Sequence, residues 1–223
     1  MTGWHIPNSK IYLASASQTR IHMLRVAGLV FEAQAASVDE QAIKQAGIAE
    51  NIVPPDIATT LAEVKAGKLA SQKEGYVIGC DQLLSCEGEI FSKPASMEQA
   101  GEHLQKLAGK THQLFTVAVV FQHGRRIWHH CSRSDLAMRR LDQREITDYL
   151  DFCGQNALLS PGCYQIEVGG AYLFSDIKGV YYDILDYNGT DFVSYSCSQS
   201  KYSGKIGYTV MEGMGTIVHF PKP

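Results

Sequence analysis

From residue 10 to residue 107 the spacing of apolar residues switches repeatedly between the period of a strand and that of a helix; after residue 110 hairpin patterns take over. "KIYLA" (10–14) reads as a strand. Residues 18–27 read as a helix, with Ile21, Leu24 and Ala27 on one face and Gly28 as its stop signal. "LVFEAQAASVDE" (29–40) reads as a second strand ending in two acids, and residues 41–55 as loop or broken helix closed by Pro54 and Pro55. Asp56 is placed to cap a helix carrying Ile57, Leu61, Val64 and Leu69. "YVIGC" (76–80) is an apolar run of buried-strand type, followed at once by Asp81 and Gln82. "SCEGE" reads as a turn, and residues 96–107 as a helix capped by Ser96, with Gly109 after it. "THQLFTVAVVFQHGRRIWHHC" (111–131) reads as two strands joined around Gly124. Asp142 and Glu145 have capping-box spacing for a helix with Ile146, Tyr149 and Leu150 behind them. "AYLFSDIKGVYYDIL" (171–185) reads as a last strand pair turning at Lys178-Gly179. Strands alternating with helices, then hairpins, predict an α/β chain: a mixed β-sheet with flanking helices.

The 223 residues suffice for one substantial core, and no internal repeat or linker divides them. Apolar residues make up 45% and charged residues 19%, the balance of a globular protein. With 20 basic against 23 acidic residues and a net charge of −3, there is no electrostatic footprint for nucleic acid. No apolar run approaches a membrane span, and "MTGWHIPNSK" has no apolar signal region, so no membrane partner and a cytoplasmic location are expected. The six cysteines (80, 86, 131, 153, 163 and 197) form no CxxC pair and read as free thiols, mostly buried. His129, His130 and Cys131 alternate faces on a strand, so they cannot all ligate one ion. A thiol or metal protein built on these cysteines is therefore the weaker reading.

Chemistry enters with "LASASQTR" (13–20). A strand, a turn of small residues and a helix start point unpaired N–H groups out of the positive end of a helix dipole, a setting for phosphate. Ser15 and Ser17 add hydroxyls, and Arg20 lies in the first helical turn, able to fork onto phosphate oxygens. Taken alone, Ser17 is simply an N-cap and Arg20 a solvated charge. Other residues extend the pattern. Asp81 follows a buried strand, where a carboxylate holds a metal, orients a water or accepts a proton. Asp39 and Glu40 end another strand and offer a second carboxylate for a cation. Lys65 lies on a helix face beside its apolar stripe, and Lys93 in "FSKP" follows Asp81 by twelve residues across a turn. Together these are the parts of a metal-assisted phosphoryl site.

Seven segments, "LASASQTR", "VDE", "LAEVKA", "VIGCDQ", "GEIFSKP", "LAGKTHQLFTVAV" and "YQIE", occur in the order and spacing of one family. Over about residues 10–185 the chain resembles the Maf family of nucleoside triphosphate pyrophosphatases, once described as septum-formation inhibitors. The resemblance implies an elongated α/β fold similar to the inosine triphosphate pyrophosphatases, with a central cleft between two lobes. It implies hydrolysis of a nucleoside triphosphate between the α and β phosphates, with Mg2+ or Mn2+ as cofactor. Asp81 falls on the family's catalytic carboxylate, the proton acceptor for the attacking water. Ser15, Arg20, Lys65 and Lys93 fall on phosphate-binding positions, and Glu40 joins Asp81 near the metal. Thr19, Gln82 and Glu167 fall on positions tied to base selection. Members often form homodimers and are linked to housekeeping of the nucleotide pool and to arrest of cell division. A rival reading is a nucleotide-binding regulator of division without turnover.

The chain also departs from the family. The branch acting on thymidine and uridine triphosphates has Asp-Thr, Arg and Gln where this chain has Asp81-Gln82, Thr19 and Glu167. The Asp-Gln pair resembles the branch acting on 7-methylguanosine triphosphate; "YQIE" does not. Val168 stands where the family has glycine, which admits backbone angles that valine resists. After Leu185 the family's Gly-Leu-Pro turn and apolar helix are replaced by "DYNGTDFVSYSCSQS", rich in Ser, Tyr and Gly. The expectation is a single Maf-like domain over 1–223 whose segment 186–223 is divergent and irregular, apart from a short alternating stretch near "KIGYTV". A reading frame disturbed near residue 186, or a rebuilt end, would produce this.

Overall fold

The first strand, β1 (Ile11–Leu13), is fully buried and leads through a small-residue turn into α1 (Gln18–Val26). The computed structural model describes residues 10–166, 169–179 and 184, and the backbone alone of 208–211 and 214–218. Ser17 caps α1: its hydroxyl accepts from the Arg20 N–H at 3.4 Å. Gly28, at φ 83°, turns the chain away from the helix end, as its sequence position predicts.

The next segment corrects the sequence reading. Only Glu32–Ala33 is strand (β2), and Asp39 and Glu40 do not end it. Asp39 is the N-cap of a helix, α2 (Glu40–Ala49), its carboxylate accepting from the Ala42 N–H at 3.0 Å. The segment read as loop or broken helix thus holds a regular helix. It carries no apolar stripe to announce it, because Gly47 is the one residue of α2 that is buried. Pro54 and Pro55, read as a closing signal, instead form the first turn of α3 (Pro54–Ala70). Proline's fixed φ suits that turn, and its missing N–H costs nothing there. Val53, not Asp56, is the capping residue.

Asp81 does not follow a strand. β3 runs from Tyr76 to Cys86, with Asp81 near its middle, then turns through Glu87 and Gly88 into β4 (Glu89–Phe91). α4 (Met97–Leu107) is capped by Ser96 as read. The long strands β5 (Thr111–Gln122) and β6 (Arg125–Met138) meet at His123 and Gly124. α5 (Gln143–Cys153) opens with the predicted capping box of Asp142 and Glu145. β7 (Phe174–Lys178) pairs antiparallel with β6; of the second strand read after Gly179 only Ile184 is described, and it is not in a strand. Within the segment read as irregular, β8 (Tyr208–Met211) and β9 (Met214–Val218) form an antiparallel pair.

Seven strands form one mixed sheet in the order β2-β1-β3-β5-β6-β7, with β4 on β3. β1 is parallel to both β2 and β3, in register Ile11 to Tyr76. The described residues divide into two compact units. The first holds 10–81 and 116–132, with a core of Ile11, Leu13, Leu24, Ile78, Cys80 and Val120 among others. The second holds 82–115 and 133–179, where the buried His112, Tyr164 and the partly exposed Phe174 pack ring to ring. Cys80, Cys86, Cys153 and Cys163 are buried free thiols and Cys131 is half-buried; Cys197 lies outside the described residues. Among the described residues no helix is long and apolar enough to cross a membrane.

Candidate active site

Five residues singled out in the sequence come together in the first unit: Ser15, Arg20, Glu40, Lys65 and Asp81. Four of them are polar side chains with 7% exposure or less, three of them charged, in a unit whose core is mainly apolar. Such burial needs partners.

Their delivery follows from local packing. The buried positions of α3 are Ile57, Ala58, Leu61, Ala62, Lys65, Ala66 and Leu69, a seam repeating every four residues. Within it Ala58, Ala62 and Ala66 are small. Opposite them on β3 stands Gly79: a Cβ built there would lie 2.3 Å from the Ala62 carbonyl oxygen and 2.7 Å from Ala66 Cβ. Helix and strand therefore approach more closely than any residue with a side chain would allow. That approach lets the long Lys65 side chain run along the seam to Asp81, which shares the strand face of Gly79. Neither the alanine seam nor Gly79 was singled out in the sequence, though the four-residue alanine spacing was visible there.

Lys65 Nζ donates to Asp81 Oδ1 at 2.5 Å and meets Glu40 Oε1 at 2.7 Å. Glu40 reaches in from the first turn of α2 and keeps 45% of its side chain exposed. Asp81 Oδ2 is buried and has no hydrogen-bond partner among the described residues. Burial pushes the Asp81 carboxyl above the usual carboxylate range, against the opposing pull of Lys65 and Arg20. Burial also pulls Lys65 down, but Asp81 and Glu40 more than offset it and Lys65 holds its proton firmly. In Glu40 burial is outweighed by Lys65, Lys44 and Arg20, which keep it below the usual range.

Arg20 is not a solvated charge. Its Nη1 donates to Ser15 Oγ at 3.1 Å and to the Cys80 carbonyl at 3.0 Å, tying the turn before α1 to the strand residue that precedes Asp81. Ser15 Oγ also accepts from the Ser17 N–H at 3.2 Å. Its two lone pairs are then engaged, and its one O–H remains to donate outward. At the start of α1 the N–H groups of Gln18 and Thr19 have no acceptor within the helix.

Gln82 and Lys93 belong to the second unit, where Lys93 is exposed after β4. Thr19 is half-buried on α1. Glu167 and Val168 lie outside the described residues.

The donor set suits a hard divalent cation. Two carboxylates converge from different elements, and one offers a buried oxygen lacking a partner. Magnesium commonly takes one or two protein carboxylates and completes its shell with water and phosphate. Among the described residues no group of three or more His, Cys, Asp or Glu forms a closed metal cage.

The family described as "Maf-like protein" matches residues 10–185. A 7-methyl-GTP pyrophosphatase of Mesorhizobium japonicum is 44% identical over 177 residues, covering 79% of this chain and 89% of that protein. A nucleoside triphosphate pyrophosphatase of Caulobacter vibrioides is 39% identical over 175 residues, 78% of this chain and 88% of its own. Nucleoside triphosphate pyrophosphatase 1 of a Jannaschia species is 38% identical over 188 residues, 84% of this chain and 95% of its own.

Proposed function

The chain belongs to the Maf family, and from that premise we propose that it is a nucleoside triphosphate pyrophosphatase, releasing a nucleoside monophosphate and pyrophosphate. One observation carries the reading. Asp81 is buried, bonded through one oxygen to Lys65, and has its other oxygen unpartnered. A carboxylate so held, with its pKa raised by burial, suits the task of accepting a proton from water.

Each neighbour has a part in the proposed reaction. The Ser15 hydroxyl and the free N–H groups of α1 donate to phosphate oxygens. Lys65 offsets negative charge as it moves onto the leaving pyrophosphate. Arg20 holds Ser15 and the Cys80 backbone in register, so that the phosphate donors and Asp81 keep their spacing. Asp81 Oδ1 and Glu40, both now met by Lys65, would hold Mg2+ or Mn2+, which when bound would neutralise the phosphates and acidify a water. Lys93 as a further phosphate contact, and Thr19, Gln82 and Glu167 as the base-selecting residues, are carried by the family resemblance. So is the homodimer; a cytoplasmic location and a single domain over 1–223 complete the proposal.

For the base, the reading favours 7-methylguanosine triphosphate. Asp81-Gln82 is the pair of that branch, and relatives at 44% and 42% identity bear its name. The names of the relatives also favour turnover over a silent regulator of division. The test is pyrophosphate release with Mg2+ or Mn2+ across common and methylated nucleoside triphosphates, with Asp81→Asn beside the wild type. Release that is fastest with 7-methyl-GTP and lost in the variant supports the proposal. A folded wild-type protein that releases pyrophosphate from no triphosphate overturns it and leaves the binding role.

A further inference from the structure

We infer that Lys65 is a resident counter-ion that keeps free divalent metal out of the site and yields its place only to a metal already complexed with triphosphate. The inference rests on the reading of this site as one for a nucleoside triphosphate, and names the form in which that substrate enters.

The geometry is that of an occupied cation position. One ammonium lies within hydrogen-bond distance of both carboxylates that a metal would use, 2.5 Å from Asp81 and 2.7 Å from Glu40. Lys65 is itself 7% exposed, so water does not screen it. Arg20, 6% exposed, adds a second positive charge held against Cys80, the residue before Asp81. Two cations thus balance two carboxylates, and among the described residues no further acid or histidine builds a metal cluster. A free divalent ion arriving here would shed water to meet two carboxylates already neutralised, and would feel repulsion from both side chains.

A metal–triphosphate complex changes that balance. It brings phosphate oxygens that the Ser15 hydroxyl and the N–H groups at the start of α1 can meet, so its entry does not depend on the two neutralised carboxylates. Its phosphates also give the Lys65 ammonium a new acceptor within reach of a flexible four-carbon stem. Once Lys65 turns to phosphate, Asp81 Oδ1 and Glu40 Oε1 are released together. Asp81 is then free of its strongest partner at the moment a proton acceptor is required. In the absence of nucleotide the same contact keeps the carboxylate masked. Metal and nucleotide therefore enter together rather than metal first.

The test is titration of the full chain with Mn2+ alone, without nucleotide, following free Mn2+ by electron paramagnetic resonance. The wild type is expected to bind no more tightly than about 1 mM, the weak end of protein oxygen sites. Lys65→Gln, which removes the ammonium and leaves both carboxylates, is expected to bind at least about tenfold more tightly. A wild-type dissociation constant below about 0.1 mM overturns the inference, as does a folded Lys65→Gln protein with unchanged Mn2+ affinity. If the variant does not fold, the wild-type titration alone decides. The expected titrations together with no pyrophosphate release from any triphosphate would keep the counter-ion and overturn the substrate reading instead.

Discussion

Gly79→Ala tests whether the approach of α3 to β3 creates the site. Added at Gly79, a Cβ would stand 2.3 Å from the Ala62 carbonyl oxygen, 2.7 Å from Ala66 Cβ and 3.1 Å from the Ala66 nitrogen. Ordinary contact begins near 3.4 Å, so the worst overlap is relieved only by about 1 Å of separation. The obstructing atoms are backbone and a methyl stub, which cannot swing aside. Helix and strand must part, and Lys65, next to Ala66, moves with the helix. Its 2.5 Å contact with Asp81 would then lengthen beyond hydrogen-bond range. Overpacking of this kind costs about 1–3 kcal/mol, and a misplacement of about 1 Å at reacting groups costs on the order of 100-fold in rate. Urea unfolding reads the first and pyrophosphate release the second. Gly67→Ala is the control on the same helix: its Cβ would meet only Phe121 Cε1, at 3.7 Å. That change should stabilise by about 1 kcal/mol and leave the rate unchanged. A Gly79→Ala protein with the wild-type urea midpoint and turnover would refute the claim that this contact positions Lys65.

Asp81→Asn keeps an acceptor for Lys65 but removes the proton acceptor; turnover should fall about 10²- to 10⁴-fold while circular dichroism stays that of the wild type. The acid limb of the kcat/KM–pH profile, which reports the free enzyme, should lie above the ordinary Asp value, because burial raises Asp81; a limb at or below that value would contradict the assignment. In the second unit His112 is fully buried against the Tyr164 hydroxyl at 2.7 Å, and burial lowers its pKa to about 4. Since the folded value lies below the unfolded one, its stabilising contribution is present above about pH 6.5 and is lost as pH falls towards 4, by about 3 kcal/mol in all. Urea midpoints at pH 7 and 4.5 should show this drop in the wild type and a smaller one in His112→Phe.

What was legible in the sequence is what local chemistry decides. Ser17, Ser96 and the Asp142–Glu145 box cap helices through atoms three residues away, so the sequence alone shows them. α2 was left open between loop and broken helix because a helix that buries only Gly47 shows no apolar period. The start of α3 was misread because a proline pair signals both a stop and a first turn. β3 was read as ending before Asp81 because carboxylates are rare inside strands. The resemblance singled out Ser15, Arg20, Glu40, Lys65 and Asp81, which meet in the first unit, but it could not say that Arg20 bonds Ser15 and a backbone carbonyl.

The misreading of β3 and the missed alanine seam have one cause. A carboxylate at 4% exposure in mid-strand is tolerable only if a cation is brought to it. That cation comes from another element, sixteen residues earlier in the chain. It can arrive only where the helix carrying it packs on glycine and alanine rather than on larger side chains. Asp81 can thus remain within a strand because Gly79, Ala62 and Ala66 are small, a dependence that no single-residue propensity contains. The closeness that makes Asp81 bearable in the folded chain is also what places Lys65 over it, so fold stability and the proposed chemistry draw on the same contact. A substitution that loosens this seam should therefore lower both together, whereas Asp81→Asn, which keeps the seam, should separate them.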